Sequence, residues 1–87
     1  MKPLIRKPSK EEKEEAESWP IWEKEISEFP WKYDTTETFL VIEGDVIVTN
    51  EEGKEFHFNE GDYVIFPKGM KCNWKINKNI RKYYKMG

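Results

Sequence analysis

The chain has one cysteine, one histidine and no glutamine among its 87 residues. Because Cys72 has no second cysteine to pair with, an intramolecular disulfide is excluded, and we expect a cytoplasmic protein. The single histidine, His57, cannot supply a histidine-rich metal site. No stretch approaches the roughly 20 apolar residues that span a membrane, and the first residues show no secretory signal pattern. We therefore expect one small domain with no membrane partner.

The charges nearly balance, with 17 Asp and Glu against 15 Lys and Arg. Nucleic-acid-binding domains usually carry a basic patch on a basic chain, so this balance argues against a nucleic-acid partner. Charged residues make up 37% of the chain. Such a bias is typical of heat-adapted proteins, although an AT-rich coding genome produces it equally well. The four tryptophans can fill a small core or line a ligand pocket.

The segment 9–18, SKEEKEEAES, predicts a short exposed helix. Ser9 is suited to the N-cap, and Glu12 three residues later completes a capping box. The only apolar residue is Ala16, so the helix has no apolar face and its stability is marginal. A solvated tail is the alternative. We expect a helical or extended segment over residues 1–18 and one β domain over residues 19–87.

Turn residues recur at even intervals after Trp19. Gly44, Gly53, Gly61 and Gly69 are separated by 9, 8 and 8 residues, with short β-branched and aromatic runs between them. This spacing predicts an all-β sandwich or barrel, and closure into a barrel removes unpaired strand edges. About eight strands are predicted, at 20–26, 28–33, 37–42, 45–49, 54–58, 63–66, 72–76 and 80–84.

Two stretches carry a family resemblance. Residues 37–44, ETFLVIEG, fit the pattern E-x6-G, and residues 61–69, GDYVIFPKG, fit G-x5-P-x-G. In this order they resemble the two motifs of the cupin superfamily, over roughly residues 31–76. The short length and the aromatic segments are similar to the small single-domain cupins grouped with ureidoglycine aminohydrolase. The resemblance implies a conical jelly-roll β-barrel, a pocket at its wide mouth, and a homodimer.

The family's histidine ligands are missing from both motifs. Where cupins carry His-x-His before the glutamate, this chain has Trp31 and Tyr33, or the residues one position earlier in an alternative spacing. The histidine of the second motif is replaced by Cys72, and only Glu37 of the usual ligand set remains. We therefore expect no metal and no other cofactor. A residual metal site of Glu37, Cys72 and Tyr33 is the alternative.

If the strands pair in the cupin register, strand alternation places the residues that replace the histidine ligands on interior faces. The expected ligand pocket consists of Trp31, Tyr33, Glu37, Cys72 and Trp74, with Arg81 and Tyr83 at its rim. Plain core packing is the alternative for each aromatic residue. Arg81 is equally a candidate surface charge, and Glu37 a candidate exposed acid at the end of a strand.

The leading hypothesis is a metal-free cupin that binds a small organic molecule, with Glu37 and Tyr33 as polar anchors. Catalysis is left open: Glu37 is a candidate general base if burial raises its pKa. Cys72 has no histidine to activate it and is expected to be a buried apolar residue. His57, between two phenylalanines, is expected to point outward. The alternatives are a metal-dependent aminohydrolase or isomerase and a structural dimerising module.

Overall fold

A computed structural model describes all 87 residues as seven antiparallel strands and one short helix. The elements in chain order are β1 (Leu4–Arg6), α1 (Lys10–Ala16), β2 (Ile21–Lys24), β3 (Ser27–Lys32), β4 (Glu37–Asn50), β5 (Glu55–Asn59), β6 (Tyr63–Phe66) and β7 (Lys71–Met86). The predicted all-β class with a short N-terminal helix is confirmed. No helix is both long and apolar enough to cross a membrane.

The two long strands, β4 and β7, pair along almost their whole lengths and organise the sheet. The first half of β4 also pairs with β6, and the second half pairs with β5. β2 and β3 pair with opposite halves of β7, and β1 pairs with β6. The two halves of the sheet face each other, since Phe39 on the first half of β4 lies 5.4 Å from Phe58 on β5, measured between ring centroids.

Gly44 bends β4 and does not end it, so the predicted turn at this position is wrong. The register between β4 and β7 shifts on both sides of Gly44, and its φ is +127°. A Cβ atom at Gly44 would lie 2.9 Å from the Cα of Ile80 on β7. Glycine is therefore required by both conformation and close backbone approach. The predicted strands at 37–42 and 45–49 form one bent strand, as do those at 72–76 and 80–84.

The N-terminal segment joins the sheet through β1, a strand that the sequence patterns did not predict. The capping box of α1 is present as predicted: the amide of Glu12 donates to Ser9 Oγ (3.1 Å), and the amide of Ser9 donates to Glu12 Oε1 (2.9 Å). Arg6 on β1 donates to both oxygens of Glu12 at 2.7 Å. Ala16 is fully buried against Leu40 and Tyr63, so α1 covers the outer face of β4 and β6.

The main core lies inside the bent sheet and consists of 13 buried residues. They are Tyr33, Phe39, Val41, Val46, Val48, Phe58, Val64, Phe66, Met70, Cys72, Trp74, Ile76 and Ile80. His57 points away from this core, as predicted, and its Nε2 lies 3.0 Å from Asp45 Oδ1 on the outer surface.

Candidate functional site

One cavity of about 180 Å³, here called the aromatic cavity, opens beside the main core. Seven of the nine residues that line it are hydrophobic. The lining comes from four strands and the segment after β3, and it consists of Trp22, Phe29, Trp31, Tyr33, Glu37, Trp74, Lys82, Tyr84 and Met86. The only two formally charged groups of this lining are Glu37 and Lys82.

Glu37 and Lys82 form a buried ion pair in the wall of the aromatic cavity. The Nζ of Lys82 donates to Oε2 of Glu37 at 2.6 Å, and the side chains are 6% and 7% exposed, respectively. Glu37 begins β4, and the long side chain of Lys82 reaches it from a position on β7 that pairs with Val41. The expectation of an exposed acid at position 37 is therefore excluded.

Three aromatic rings surround the Lys82 ammonium. Its Nζ lies 4.1 Å from the ring centroid of Phe39, 4.7 Å from that of Trp22 and 4.9 Å from that of Trp74. These distances are within the range of cation–π attraction, which favours the charged amine. Burial has the opposite effect and is the larger one: it lowers the pKa of Lys82, against the raising influence of Glu37.

Tyr33 supplies a second polar group. Its hydroxyl oxygen accepts a hydrogen bond from Trp74 Nε1 at 3.2 Å. Burial, together with the nearby Glu37 charge, raises the pKa of Tyr33 far above its ordinary value. The phenol is therefore neutral and retains its own proton as a hydrogen-bond donor. Its backbone is held at both ends, since its N–H donates to the carbonyl of Met70 (2.9 Å) and its carbonyl accepts from Gly69 (2.7 Å).

The structure brings together four of the residues that the sequence patterns assigned to a pocket. Trp31, Tyr33, Glu37 and Trp74 all line the aromatic cavity, and Trp31 is 48% exposed at its opening. Cys72 does not line it and is part of the main core. Burial raises the pKa of the Cys72 thiol to about 11. This agrees with the expectation that Cys72 behaves as a buried apolar residue.

Arg81 and Tyr83, which were predicted at the rim of the pocket, lie on the other face of β7. Tyr83 packs against Ala16, Leu40 and Tyr63, the outer cluster beneath α1. Arg81 Nε lies 2.7 Å from Glu23 Oε1. Successive residues of a strand point to opposite faces. The intervening residue, Lys82, therefore points inward, and the sequence patterns missed it. Strand alternation could have identified it, because Trp74 and Lys82 are both even-numbered residues of β7 and therefore lie on the same, inner face.

The bent antiparallel sheet, with a cavity lined by residues of β2, β3, β4 and β7, has the architecture of a cupin domain. Residues 11–84 match the EutQ-like cupin domain family, and the chain belongs to that family. It is similar to a DUF861 family protein from Thermotoga maritima, with 49% identity and a TM-score of 0.94 over 99% of this chain and 100% of that chain. The comparison with curated proteins finds no match.

Two further solved structures are similar over about three quarters of the chain. A putative ethanolamine utilization protein Q from Salmonella typhimurium is 26% identical, with a TM-score of 0.68, over 76% of this chain and 53% of that one. A DUF861 family protein of unknown function from Pseudomonas syringae is 28% identical, with a TM-score of 0.71, over 77% of this chain and 29% of that one.

The metal ion found in many cupins does not fit the residues of this site. No three histidine, cysteine, aspartate or glutamate side chains are grouped closely enough to hold a metal ion. Glu37, the remaining position of the cupin ligand set, directs one carboxylate oxygen at the Lys82 ammonium at 2.6 Å. A metal ion beside Glu37 would face this cation at short range, and like charges at such distances repel strongly in a buried site.

Proposed function

We propose that this cupin binds a small organic molecule in the aromatic cavity. The observation that carries the proposal is the presence of the Glu37–Lys82 pair and of Tyr33 in a cavity whose other lining residues are aromatic, with one methionine. Small-molecule sites commonly combine an apolar lining with a few polar groups that orient the ligand. The cavity is about 180 Å³. A cavity of about 150 Å³ in another protein binds benzene, so a single-ring compound is a suitable size.

The free hydrogen-bonding capacity of the wall indicates the chemistry of the ligand. The Lys82 ammonium has three N–H donors, of which Glu37 takes one. The Tyr33 hydroxyl accepts from Trp74 and has its own hydrogen to donate. Both groups therefore present donors, and a ligand with an apolar ring and one acceptor oxygen complements them. A carbonyl or carboxylate on an aromatic ring has this chemistry.

Binding is tested with benzaldehyde, benzoate and benzyl alcohol by titration of tryptophan fluorescence and of NMR chemical shifts. Three of the four tryptophans line the cavity, so occupation of this space should change their emission. Tyr33→Phe removes one hydroxyl without changing the ring, and should weaken binding of benzaldehyde or benzoate by about 5-fold, the value of one hydrogen bond.

Tyr63→Phe is the matched control, because Tyr63 belongs to the outer cluster beneath α1 and not to the cavity. It should bind each probe as the wild type does. Absence of binding by all three probes, with an experimental structure in which side chains fill the space, would overturn the proposal.

Edge strands favour a second role as a dimerising module. Ile21 on β2 is 46% exposed, and Ile26, between β2 and β3, is 63% exposed. Exposed apolar residues beside an unpaired strand edge favour association with a second copy. We propose on this basis that the protein is a homodimer. The single cysteine supports the further proposal that it is cytoplasmic. Sedimentation of the wild type and of Ile26→Lys tests it, because the charge should shift the protein toward monomer.

An activity like that of ureidoglycine aminohydrolase is the less favoured alternative, since the cupin metal ligands are replaced. It requires a stoichiometric metal ion in the purified protein. Elemental analysis of the protein purified without chelators tests this alternative directly.

A further inference from the structure

We propose that Lys82 is a nucleophilic amine that forms an imine with a small aldehyde or ketone bound in the aromatic cavity. The proposal deepens the proposed function and rests on it. Lys82 is the one buried lysine of the chain, and it lines the cavity together with a carboxylate that touches it. The substrate class would be a single-ring or similarly small carbonyl compound.

The position of the amine is fixed by its surroundings. Lys82 lies in the middle of the paired region of β7, between β2 and β4, where its Cα is opposite those of Trp22 and Val41. The rings of Phe39, Trp22 and Trp74 lie within 4.9 Å of its Nζ. A reactive group on a strand and enclosed by packed rings is held more accurately than one on a loop.

The apolar surroundings also favour the reactive form of the amine. Only the neutral amine has a lone pair to attack a carbonyl carbon, and removal from water disfavours the ammonium. Lys85, on the same strand, is exposed to solvent. The remaining requirement is a group that takes the proton, and Glu37 Oε2 lies 2.6 Å from Nζ.

The reaction balances with the groups present. Lys82 passes a proton to Glu37, and its lone pair forms the N–C bond while the carbonyl π electrons move to oxygen. Glu37 protonates that oxygen, and then removes a second proton from the nitrogen. It returns this proton as the hydroxyl leaves as water and the C=N bond forms. The product is an iminium cation beside a carboxylate, the same charges as at the start.

The iminium product suits the site that holds the ammonium. Its positive charge remains beside Glu37 and among the three rings, so no new buried charge is created. A purely structural ion pair would not need open space next to the amine, whereas Lys82 borders a cavity of about 180 Å³.

The test is reductive trapping of the full chain with benzaldehyde and sodium borohydride. Reduction converts the imine to a stable secondary amine, so the intact mass should increase by one benzyl group per chain. Peptide mapping should place that group on Lys82, with labelling about ten-fold or more above any exposed lysine, since general acid–base assistance is typically at least this large. Labelling spread evenly over exposed lysines would overturn the proposal.

Two matched substitutions on β7 identify the amine. Lys82→Arg keeps a positive charge but has no nucleophilic amine, and should abolish the specific label. Lys85→Arg makes the same change at an exposed position of the strand and should label as the wild type does. If Lys82→Arg fails to fold, as judged by circular dichroism, the peptide map of the wild type still decides the outcome.

Benzyl alcohol separates failure of this proposal from failure of the proposed function. It has nearly the size of benzaldehyde but no carbonyl carbon to attack. If both compounds bind and benzaldehyde gives no specific label at Lys82, the imine proposal is wrong and the binding site stands. If neither these compounds nor benzoate binds, and side chains fill the cavity in an experimental structure, both proposals are overturned.

Discussion

The Nζ of Lys82 on β7 lies 2.6 Å from the carboxylate of Glu37 on β4, and both side chains are more than nine-tenths buried. Burying two charges is costly, and a well-packed apolar pair of similar volume is often at least as stable. A domain of 87 residues has a small stability margin. The pair is thus weak evidence for stability, and its place in a cavity wall is the observation on which both proposals above rest.

Removing one partner of this pair should destabilise the fold strongly. Lys82→Met leaves the Glu37 carboxylate buried without its cation, and we expect a loss of about 3–5 kcal/mol in the free energy of unfolding. Urea denaturation at pH 7, followed by tryptophan fluorescence, measures the loss.

The double variant Lys82→Met/Glu37→Leu is the control for this effect. It removes both charges, so we expect its free energy of unfolding to be within about 1 kcal/mol of the wild type, or higher. A double variant as unstable as Lys82→Met alone would show that shape, and not the unpaired charge, caused the loss.

Gly44 should tolerate substitution less well than another glycine of positive φ. Gly44→Ala combines an unfavourable φ with a Cβ placed 2.9 Å from the backbone of Ile80, so part of β7 must move. We expect a loss of about 3 kcal/mol or more, since backbone strain adds to the clash.

Gly53→Ala is the matched control, because its φ is +81° but nothing lies within 4 Å of the added methyl group. It should lose only about 1–2 kcal/mol, the cost of the left-handed conformation. Thermal unfolding of both variants measures the difference, and equal losses would contradict the role assigned to the close approach of Ile80.

The Arg6–Glu12 pair should contribute stability only while the carboxylate is charged. The hydrogen bond from Arg6 lowers the pKa of Glu12 from 4.5 to about 2. When folding lowers the pKa of a carboxyl group, its contribution to stability is complete above the pKa that it has in the unfolded chain. The contribution is lost as the pH falls toward the pKa that it has in the folded protein. Glu12→Gln should therefore be less stable than the wild type at pH 7, and the difference should shrink below about pH 4.5.

Glutamine at this position can still accept the capping hydrogen bond from the amide of Ser9, so the capping box is kept while the charged contact with Arg6 is lost. Glu14→Gln on the same helix is the control. Thermal melts between pH 3 and pH 7 test the prediction, and a difference that stays constant down to pH 3 would contradict it.

Cys72 should be unreactive in the folded protein. Burial raises the pKa of its thiol to about 11, and the thiolate is the reactive form. At pH 8 we expect alkylation by iodoacetamide at least about 100-fold slower than in the urea-unfolded chain, because both the thiolate fraction and access decrease. Mass spectrometry of timed samples measures the rates. Rapid labelling of the folded chain would reopen a nucleophilic role.

Local patterns were sufficient for several features of the fold. The capping box of Ser9 and Glu12, the turns at Gly53, Gly61 and Gly69, and the two cupin motifs all depend on residues close in sequence. Glycine turns and helix caps are set by the conformations that single residues adopt, so their signals are readable without knowledge of distant contacts. Four pocket positions followed from the motifs and from strand alternation.

Long-range pairing decided the remaining features. Whether Gly44 ends a strand or bends one depends on the close approach of Ile80 from β7, which no local pattern contains. Because β7 is one continuous strand, the alternation that turns Trp74 inward also turns Lys82 inward. The predicted division into two short strands left the inward-facing residues of the second one undetermined, which favoured Arg81 over Lys82. The ion pair joins residues 45 positions apart. Sequence therefore indicated where an aromatic pocket lies, and only the pairing of β4 with β7 placed a lysine in it.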